Sequence, residues 1–282
     1  MRPPRLEDAA WVAELTGESG PEPFPAELVE REWTEPRFDL GRDARLTESA
    51  YAGVWDGRGG KAWLDFAGQP NDELVEWAEA RAREKGLTRA LASAWSENEA
   101  QKAAFERAGY RLIRNSWRMR VDLADVRDEP VWPEGLTVRT FRPGDERMFY
   151  DVHQETFADH WEHDHADPYE EWAHWLLQPP MFEPELWFVV EDGDEPAGIA
   201  ICHLRDEMPG LGWVQILGVR RPWRRRGLAR ALLLHAFQAF KSRGLHQAGL
   251  GVDAENLTGA QLLYESAGMQ VASRRDIYEK EL

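Results

Sequence analysis

Cysteine is all but missing from this chain. One thiol in 282 residues, Cys202, excludes an internal disulfide and any cysteine-rich metal site. It falls in the apolar run Gly198-Ile199-Ala200-Ile201-Cys202, which suits a buried structural thiol better than a nucleophile. Long apolar runs are missing too. No stretch approaches the roughly 18 apolar residues that a membrane span needs, and the opening Met1-Arg2-Pro3-Pro4-Arg5-Leu6-Glu7-Asp8 has no apolar segment of a secretory signal. The expectation is a cytoplasmic protein with no membrane partner. Basic charge is scarce: 34 Lys and Arg face 51 Asp and Glu, a formal net charge of −17, which argues against nucleic acid as the main partner. With 43% hydrophobic and 30% charged residues the composition is that of a folded protein, and the length suits two domains of ordinary size.

The charge is unevenly placed. Residues 1–124 hold 18 basic and 23 acidic groups, a net of −5. From Asp145 to Glu207 there are 18 acids against Arg147 and Arg205 alone, a net of −16. From Met208 to Val252 there are eight basic groups and no acid. One block suits cations and the next an anion, although charge runs are also the ordinary dress of a solvated face.

The two halves resemble each other at an offset of 158 residues. Gly86-Leu87 falls on Gly244-Leu245 and Glu97-Asn98 on Glu255-Asn256; with one further residue, Phe105 to Tyr110 falls on Tyr264 to Met269. The chain therefore reads as two copies of one α/β unit with a mixed sheet: a first domain at 1–124, a charged, proline-containing linker at 125–135 and a second domain at 136–282. In the second copy, periodicity predicts strands at 136–141, 186–190, 197–203, 213–219, 248–252 and 270–278. Helices are predicted at 143–159, 169–177, 227–243 and 258–267, and Asp192-Gly193 marks a hairpin turn. Leu232, Leu233, Ala236, Phe237 and Phe240 recur at helical spacing as one core-facing stripe.

Between the strand ending at Val219 and the helix beginning at Gly227 lies Arg220-Arg221-Pro222-Trp223-Arg224-Arg225-Arg226. A helix N-terminus offers unpaired amides and the positive end of a dipole, a glycine lets backbone approach a phosphate, and guanidinium groups add fork-shaped donors. The loop is neither a Walker sequence nor a GxGxxG dinucleotide loop.

The pattern Arg224-x-x-Gly227-x-Ala229 resembles the acetyl-CoA signature of the GCN5-related N-acetyltransferases (GNAT). The segment Asp253-Ala254-Glu255-Asn256 through Leu263-Tyr264-Glu265-Ser266-Ala267-Gly268 is similar to that family's following strand and helix. The duplication is similar to that of the mycothiol synthase group of tandem acetyltransferases. The resemblance implies two tandem GNAT acyl-CoA acyltransferase-like domains and acetyl-CoA as co-substrate. Leu217, Gly218 and Val219 would pair with the pantetheine arm, and Arg224, Arg225, Arg226, Gly227, Leu228, Ala229 and Arg230 would hold the pyrophosphate. Arg220 and Arg221 would add charge, and Asn256 would contact the arm, although Asn256 stands eight residues before Tyr264 where the family has seven. Tyr264 would protonate the departing thiolate. As residues alone, Tyr264 also reads as a core aromatic and Asn256 as a helix cap.

Many family members carry a glutamate on the strand before the loop to receive the amine proton; here Trp213-Val214-Gln215-Ile216-Leu217 has no acid. Glu155, Glu162, Asp206, Glu207 and a water relay stand as alternatives. The offset maps 224, 227 and 229 onto Phe66, Gln69 and Asn71, and Tyr264 onto Phe105, so the first copy is expected neither to bind acetyl-CoA nor to catalyse. Five of eight histidines lie from His153 to His174. Zinc or nickel is the alternative there, but no His-Glu-x-x-His pattern occurs, and no metal is expected. Glu155, Phe157, His160 and Trp161 instead line the expected acceptor side, where carboxylates and rings would suit a small cationic amine. Direct transfer in a ternary complex is the leading reading, a non-catalytic acyl-CoA sensor the alternative, and a nucleic-acid patch at Arg220–Arg226 a third.

Overall fold

The computed structural model describes residues 1–57, 59–161, 166–256 and 259–282. In the first half the elements are α1 (Ala9–Ser19), α2 (Ala26–Trp33), α3 (Leu40–Asp43), β1 (Ala44–Leu46), β2 (Ala50–Asp56), β3 (Lys61–Gly68), α4 (Asp72–Glu84), β4 (Arg89–Trp95), α5 (Glu99–Arg107) and β5 (Arg111–Asp122). The second half adds β6 (Leu136–Thr140), α6 (Glu146–Phe157), α7 (Tyr169–Leu176), β7 (Trp187–Asp192), β8 (Glu195–Leu204), β9 (Leu211–Val219), α8 (Leu228–Ser242), β10 (Gln247–Asp253), α9 (Ala260–Ser266) and β11 (Gln270–Glu281). Every helix and strand expected in the second copy is present, with ends displaced by up to three residues.

Two compact units divide the chain, and they are not consecutive. Unit one is Met1–Trp117 with Ser273–Leu282, and unit two is Arg118–Ala272. The sequence boundaries at 124 and 136 differ from this division because the repeats exchange their last strands. β11, which follows the second copy's α9, pairs antiparallel with the first copy's β4, from Arg275 opposite Trp95 to Glu281 opposite Arg89. The end of β5, Arg118–Asp122, lies in unit two beside β10.

Unit one orders its sheet β1-β2-β3-β4-β11, with β3 and β4 parallel. Alternation along the strands gives it two apolar faces. Ala62 and Leu64 pack with Leu74, Val75 and Ala78 of α4 and Phe105 of α5, while Tyr51 and Ala67 pack with Val12, Leu15, Val29 and Trp33 of α1 and α2. Helix α4 starts where Asn71 accepts a hydrogen bond from the Leu74 amide at 2.9 Å, and Asp72 and Glu73 fill its first turn.

Unit two orders its strands β10-β9-β8-β7-β6, with β9 and β10 parallel and the others antiparallel. The stripe Leu232, Leu233, Ala236, Phe237 and Phe240 of α8 is fully buried, as its spacing requires. Gly212 makes room on the α8 side of the sheet, since a Cβ there would sit 2.4 Å from the Phe240 ring. Removing that ring would cost about 3–5 kcal/mol. On the opposite face α6 comes as close at Gly218, where a Cβ would lie 2.3 Å from Thr156 Oγ1.

Candidate active site

The parallel strands β9 and β10 are paired only at their starts, from Leu211 opposite Gln247 to Val214 opposite Leu250. Beyond that point they part. Leu217, Gly218 and Val219 remain paired on the other side with Ala200, Ile199 and Gly198 of β8. Their edge toward β10 thus carries no strand partner among the described residues, leaving backbone donors and acceptors for an extended ligand arm. At the fork, Ile201 and Cys202 of β8 face Ile216 and Val214, so Gln215 is an extra, bulged residue. Its side chain is exposed, and its Oε1 accepts from the Trp213 indole at 3.1 Å.

The arginine loop closes the far end of the fork. Arg225 has φ 62° and Gly227 φ 82°, both left-handed, so the chain there makes a concave turn of the kind in which successive amides converge on an anion. A Cβ at Gly227 would meet nothing within 4 Å, so the glycine is required by its backbone angle and not by crowding. No side chain of the described residues caps α8. The first amides of α8, at Leu228, Ala229 and Arg230, are therefore available, with Leu228 buried as an anchor.

The arginines divide the work. Arg224 donates through Nε to Val219 O at 2.9 Å and stands 3.6 Å from Asp159, bracing the loop onto its own strand. Arg220 donates to Glu155 at 2.7 Å and to Glu195 at 3.1 Å, and Arg221 donates to Asp159 at 2.7 Å. These cations hold Asp159 below the usual carboxylate range, chiefly through the Arg221 hydrogen bond. Arg230 pairs with Asp128. Arg225 and Arg226 are exposed and have no ion pair among the described residues. Part of the acidic block therefore neutralises part of the basic block, a pairing invisible in counts taken along the chain.

Tyr264 sits on α9, 8% exposed, and burial pushes its phenol up to about 12. Asn256 lies in the turn after β10, its amide donating to Asp253 O at 3.1 Å. It is not the cap of α9, a place taken by Gly259. Phe157 closes α6 with its ring 4.2 Å from that of His160 and 4.7 Å from that of His153. Trp161 follows in the same turn. Glu162 and His163–His165 lie outside the described residues, and no group that could hold a metal ion occurs among the described ones. Two other candidate bases are placed: Glu207 is paired with Arg205, and Asp206 is exposed. Cys202 is buried on the α8 side of β8, its thiol pushed far up by burial, as a structural residue would be.

Sequence patterning missed three features. The bulge at Gln215 leaves no periodic trace in an apolar strand. Arg118, assigned by position to the first domain, lies against β10: a Cβ at Gly251 would sit 2.6 Å from its Nη1. His203 is opposite Trp213 on β8, 4% exposed, and burial pulls its imidazole down to about 4.

Comparison with other proteins gives the family. The acetyltransferase (GNAT) family profile matches residues 147–269. A mycothiol acetyltransferase of Thermobispora bispora is 33% identical over 233 residues, covering 74% of this chain and 75% of its own. The chain belongs to the GNAT acetyltransferase family. A GCN5-related N-acetyltransferase from Sphaerobacter thermophilus superposes with a TM-score of 0.77 at 32% identity, over 99% of this chain and 94% of that one. A tandem GNAT protein from the clavulanic acid biosynthesis pathway shares the fold, with a TM-score of 0.72 at 13% identity over 98% and 94% of the two chains. The duplication read from the sequence is thus a tandem GNAT fold.

The copies differ in what fills the fork. In unit one β3 and β4 also pair only from Lys61–Arg89 to Leu64–Ala92. There the Gln101 side chain, 1% exposed, donates to Phe66 O at 3.3 Å and Gly68 O at 3.1 Å, and Ser19 Oγ accepts from the Gly68 amide at 2.8 Å. The edge left open in unit two is internally satisfied in unit one. The loop is also shorter: three residues join β3 to α4, and eight join β9 to α8. The mapping of 224, 227 and 229 onto Phe66, Gln69 and Asn71 is therefore corrected, because the connection in the first copy is five residues shorter and a single offset does not carry across it.

Proposed function

We propose that this protein transfers the acetyl group of acetyl-CoA to a primary amine of a small acceptor by direct attack in a ternary complex formed in unit two. The observation that carries the reading is the open β9 edge running into a loop whose left-handed residues and uncapped helix start can hold a pyrophosphate. Leu217, Gly218 and Val219 take the pantetheine arm. Arg225, Arg226, Gly227, Leu228, Ala229 and Arg230 hold the phosphates, Arg224 braces the loop, and Asn256 contacts the arm. The co-substrate supplies the activated acyl group.

The residues contribute position, polarisation and a proton. Backbone amides of β9 past the fork polarise the carbonyl oxygen, a preorganised donor effect. Tyr264 donates its proton to the departing thiolate, and its raised value keeps the phenol protonated throughout the neutral range. The base is not a side chain of β9, and Glu155 and Glu207 are engaged by Arg220 and Arg205. Of the alternatives we take the water relay: the amine attacks in its neutral form, its second proton leaving through water. Phe157, His160 and Trp161 form the acceptor wall. Unit one is a scaffold without acetyl-CoA of its own.

The name carried by the Thermobispora relative makes the unacetylated precursor of mycothiol one acceptor to try. A thiol-release assay across amines tests the function. Release that depends on both acetyl-CoA and an amine is expected; acetyl-CoA binding with no release for any amine would turn the reading to the non-catalytic sensor.

A further inference from the structure

We propose that the acceptor carries an anionic oxyacid group, a carboxylate or a phosphate, near its amine, and that Arg118 and Arg205 receive it beside Trp213. The inference rests on the acetyl-transfer reading and names the acceptor class.

The floor of the fork, on the face turned away from α8, is built by two glycines of β10. At Gly249 the missing side chain makes room for the Trp213 ring, whose nearest atom would lie 2.8 Å from a Cβ there. At Gly251, the first residue beyond the last β9–β10 pair, the room is taken by the Arg118 guanidinium. Arg118 Cζ is 5.9 Å and Arg205 Cζ 5.0 Å from the Trp213 ring centroid. An indole thus holds two guanidinium groups where β9 and β10 part, a contact of the cation–π type.

Glu207 is paired with Arg205. The acids Glu155 and Asp159, which would have favoured a cationic acceptor, are bound to Arg220 and Arg221. A guanidinium has five N–H donors and keeps some for a ligand while it holds another partner. Fixed positive charge at this place does two things. It disfavours the ammonium form of an incoming amine, so the neutral nucleophile is available without a carboxylate base, and it pairs with an oxyacid group on the same molecule.

The test is thiol release by the full chain with β-alanine, O-phosphoethanolamine, β-alaninamide and 1,3-diaminopropane as acceptors. The better anionic amine should exceed β-alaninamide in kcat/KM by about tenfold or more, the scale of a charge-assisted hydrogen bond; whether carboxylate or phosphate leads identifies the group. Arg118→Met should bring the ratio toward one by raising KM for the anionic amine, and Arg118→Lys should restore part of it. An acetyl-CoA affinity equal to that of the parent would show that each variant is folded. Equal or better turnover of the amide or the diamine by the parent chain would overturn the inference, as would a ratio unmoved by both Arg118→Met and Arg205→Met. If acetyl-CoA binds and no amine releases thiol, the acetyl-transfer reading itself fails, and this inference with it.

Discussion

The buried His203 should weaken unit two as the pH falls. The imidazole sits on β8 opposite Trp213, 4% exposed. Its Nδ1 lies 2.8 Å from Leu204 O, and because a carbonyl can only accept, Nδ1 carries the proton. Burial pulls the imidazole from 6.5 to about 4. The unfolded chain therefore takes up a proton first, below 6.5, while the folded chain resists until about 4. Stability is complete above 6.5 and declines as the pH falls through this window, levelling off below it. The gap corresponds to about 3 kcal/mol in full and about 2 kcal/mol by pH 5, roughly thirtyfold in the folding equilibrium. His235 is displaced in the same direction by burial, so the readout is a difference between variants. Asp43, held low by the Asp39 amide and then Arg81, and Asp145, held low by Arg139, lose their contribution below the usual carboxylate range and outside this window. Urea unfolding of the parent and of His203→Leu and His203→Asn, followed by tryptophan fluorescence at pH 7.5 and 5, measures it. The variants cost stability at pH 7.5 and should lose about 2 kcal/mol less than the parent on going to pH 5. Equal losses in parent and variants would refute the assignment of the buried proton site.

Other outcomes follow from the same geometry. Tyr264→Phe should lower kcat about 10²-fold with little change in KM for acetyl-CoA, since a positioned acid is worth about that much; an unchanged kcat would remove the phenol from the mechanism. Because that phenol lies near 12, the kcat profile of the parent should show no falling limb near pH 10, where an ordinary tyrosine would lose its proton. Calorimetry on the full chain should count one acetyl-CoA per molecule, and two would show that Gln101 does not close the first fork. Truncation after Ala272 should unfold unit one and not merely fray it. The deletion removes the β4 partner together with the bonds from Ser96 and Asn115 to Asp276 and from Lys280 to Glu79. A truncated chain that kept the parent's thermal transitions would refute this.

Local signals in the sequence were strong where one element carries its own information. The stripe of α8, the Asp192-Gly193 turn and the loop glycine are each visible within a few residues, since helical period, turn chemistry and a positive φ are local requirements. Pairing across the sheet is not local. Nothing in Gln270–Glu281 says that it lies beside β4, because a strand of that composition fits either parallel edge. The place of Arg118 beside Gly251 was unreadable for the same reason, being fixed by which strand β5 accompanies. The acidic block is a different case. Its charge was counted correctly, but Glu155 of α6 and Asp159 just past its end lie within reach of Arg220 and Arg221, so part of a charge that looked unpaired in the sequence is bound to the arginine loop.

The two forks differ in length as well as in what fills them. In the paired starts of the strands the offset between copies is 150, Leu211 against Lys61, and by the next paired strand it becomes 158, Gln247 against Arg89, with five of the eight residues in the loop and the rest in the longer β9 and α8. Eight residues are thus absent from the first copy between one paired strand and the next, a number that an overall comparison at 158 absorbs into mismatched positions. Losing the loop alone would leave the β3 carbonyls buried and unpaired, at about 1–3 kcal/mol each. Gln101 meets that need at Phe66 and Gly68, and Asn71 with Asp72 and Glu73 turns the start of α4 from an anion site into a capped, acid-bearing helix end. These features depend on one another. Restoring arginines to the short connection would place them against the acids of α4 with the strand edge still occupied. Recovering a second acetyl-CoA site would require the five missing loop residues, an open edge at Gln101 and an uncapped α4 together, so single substitutions in unit one should leave the chain with one site.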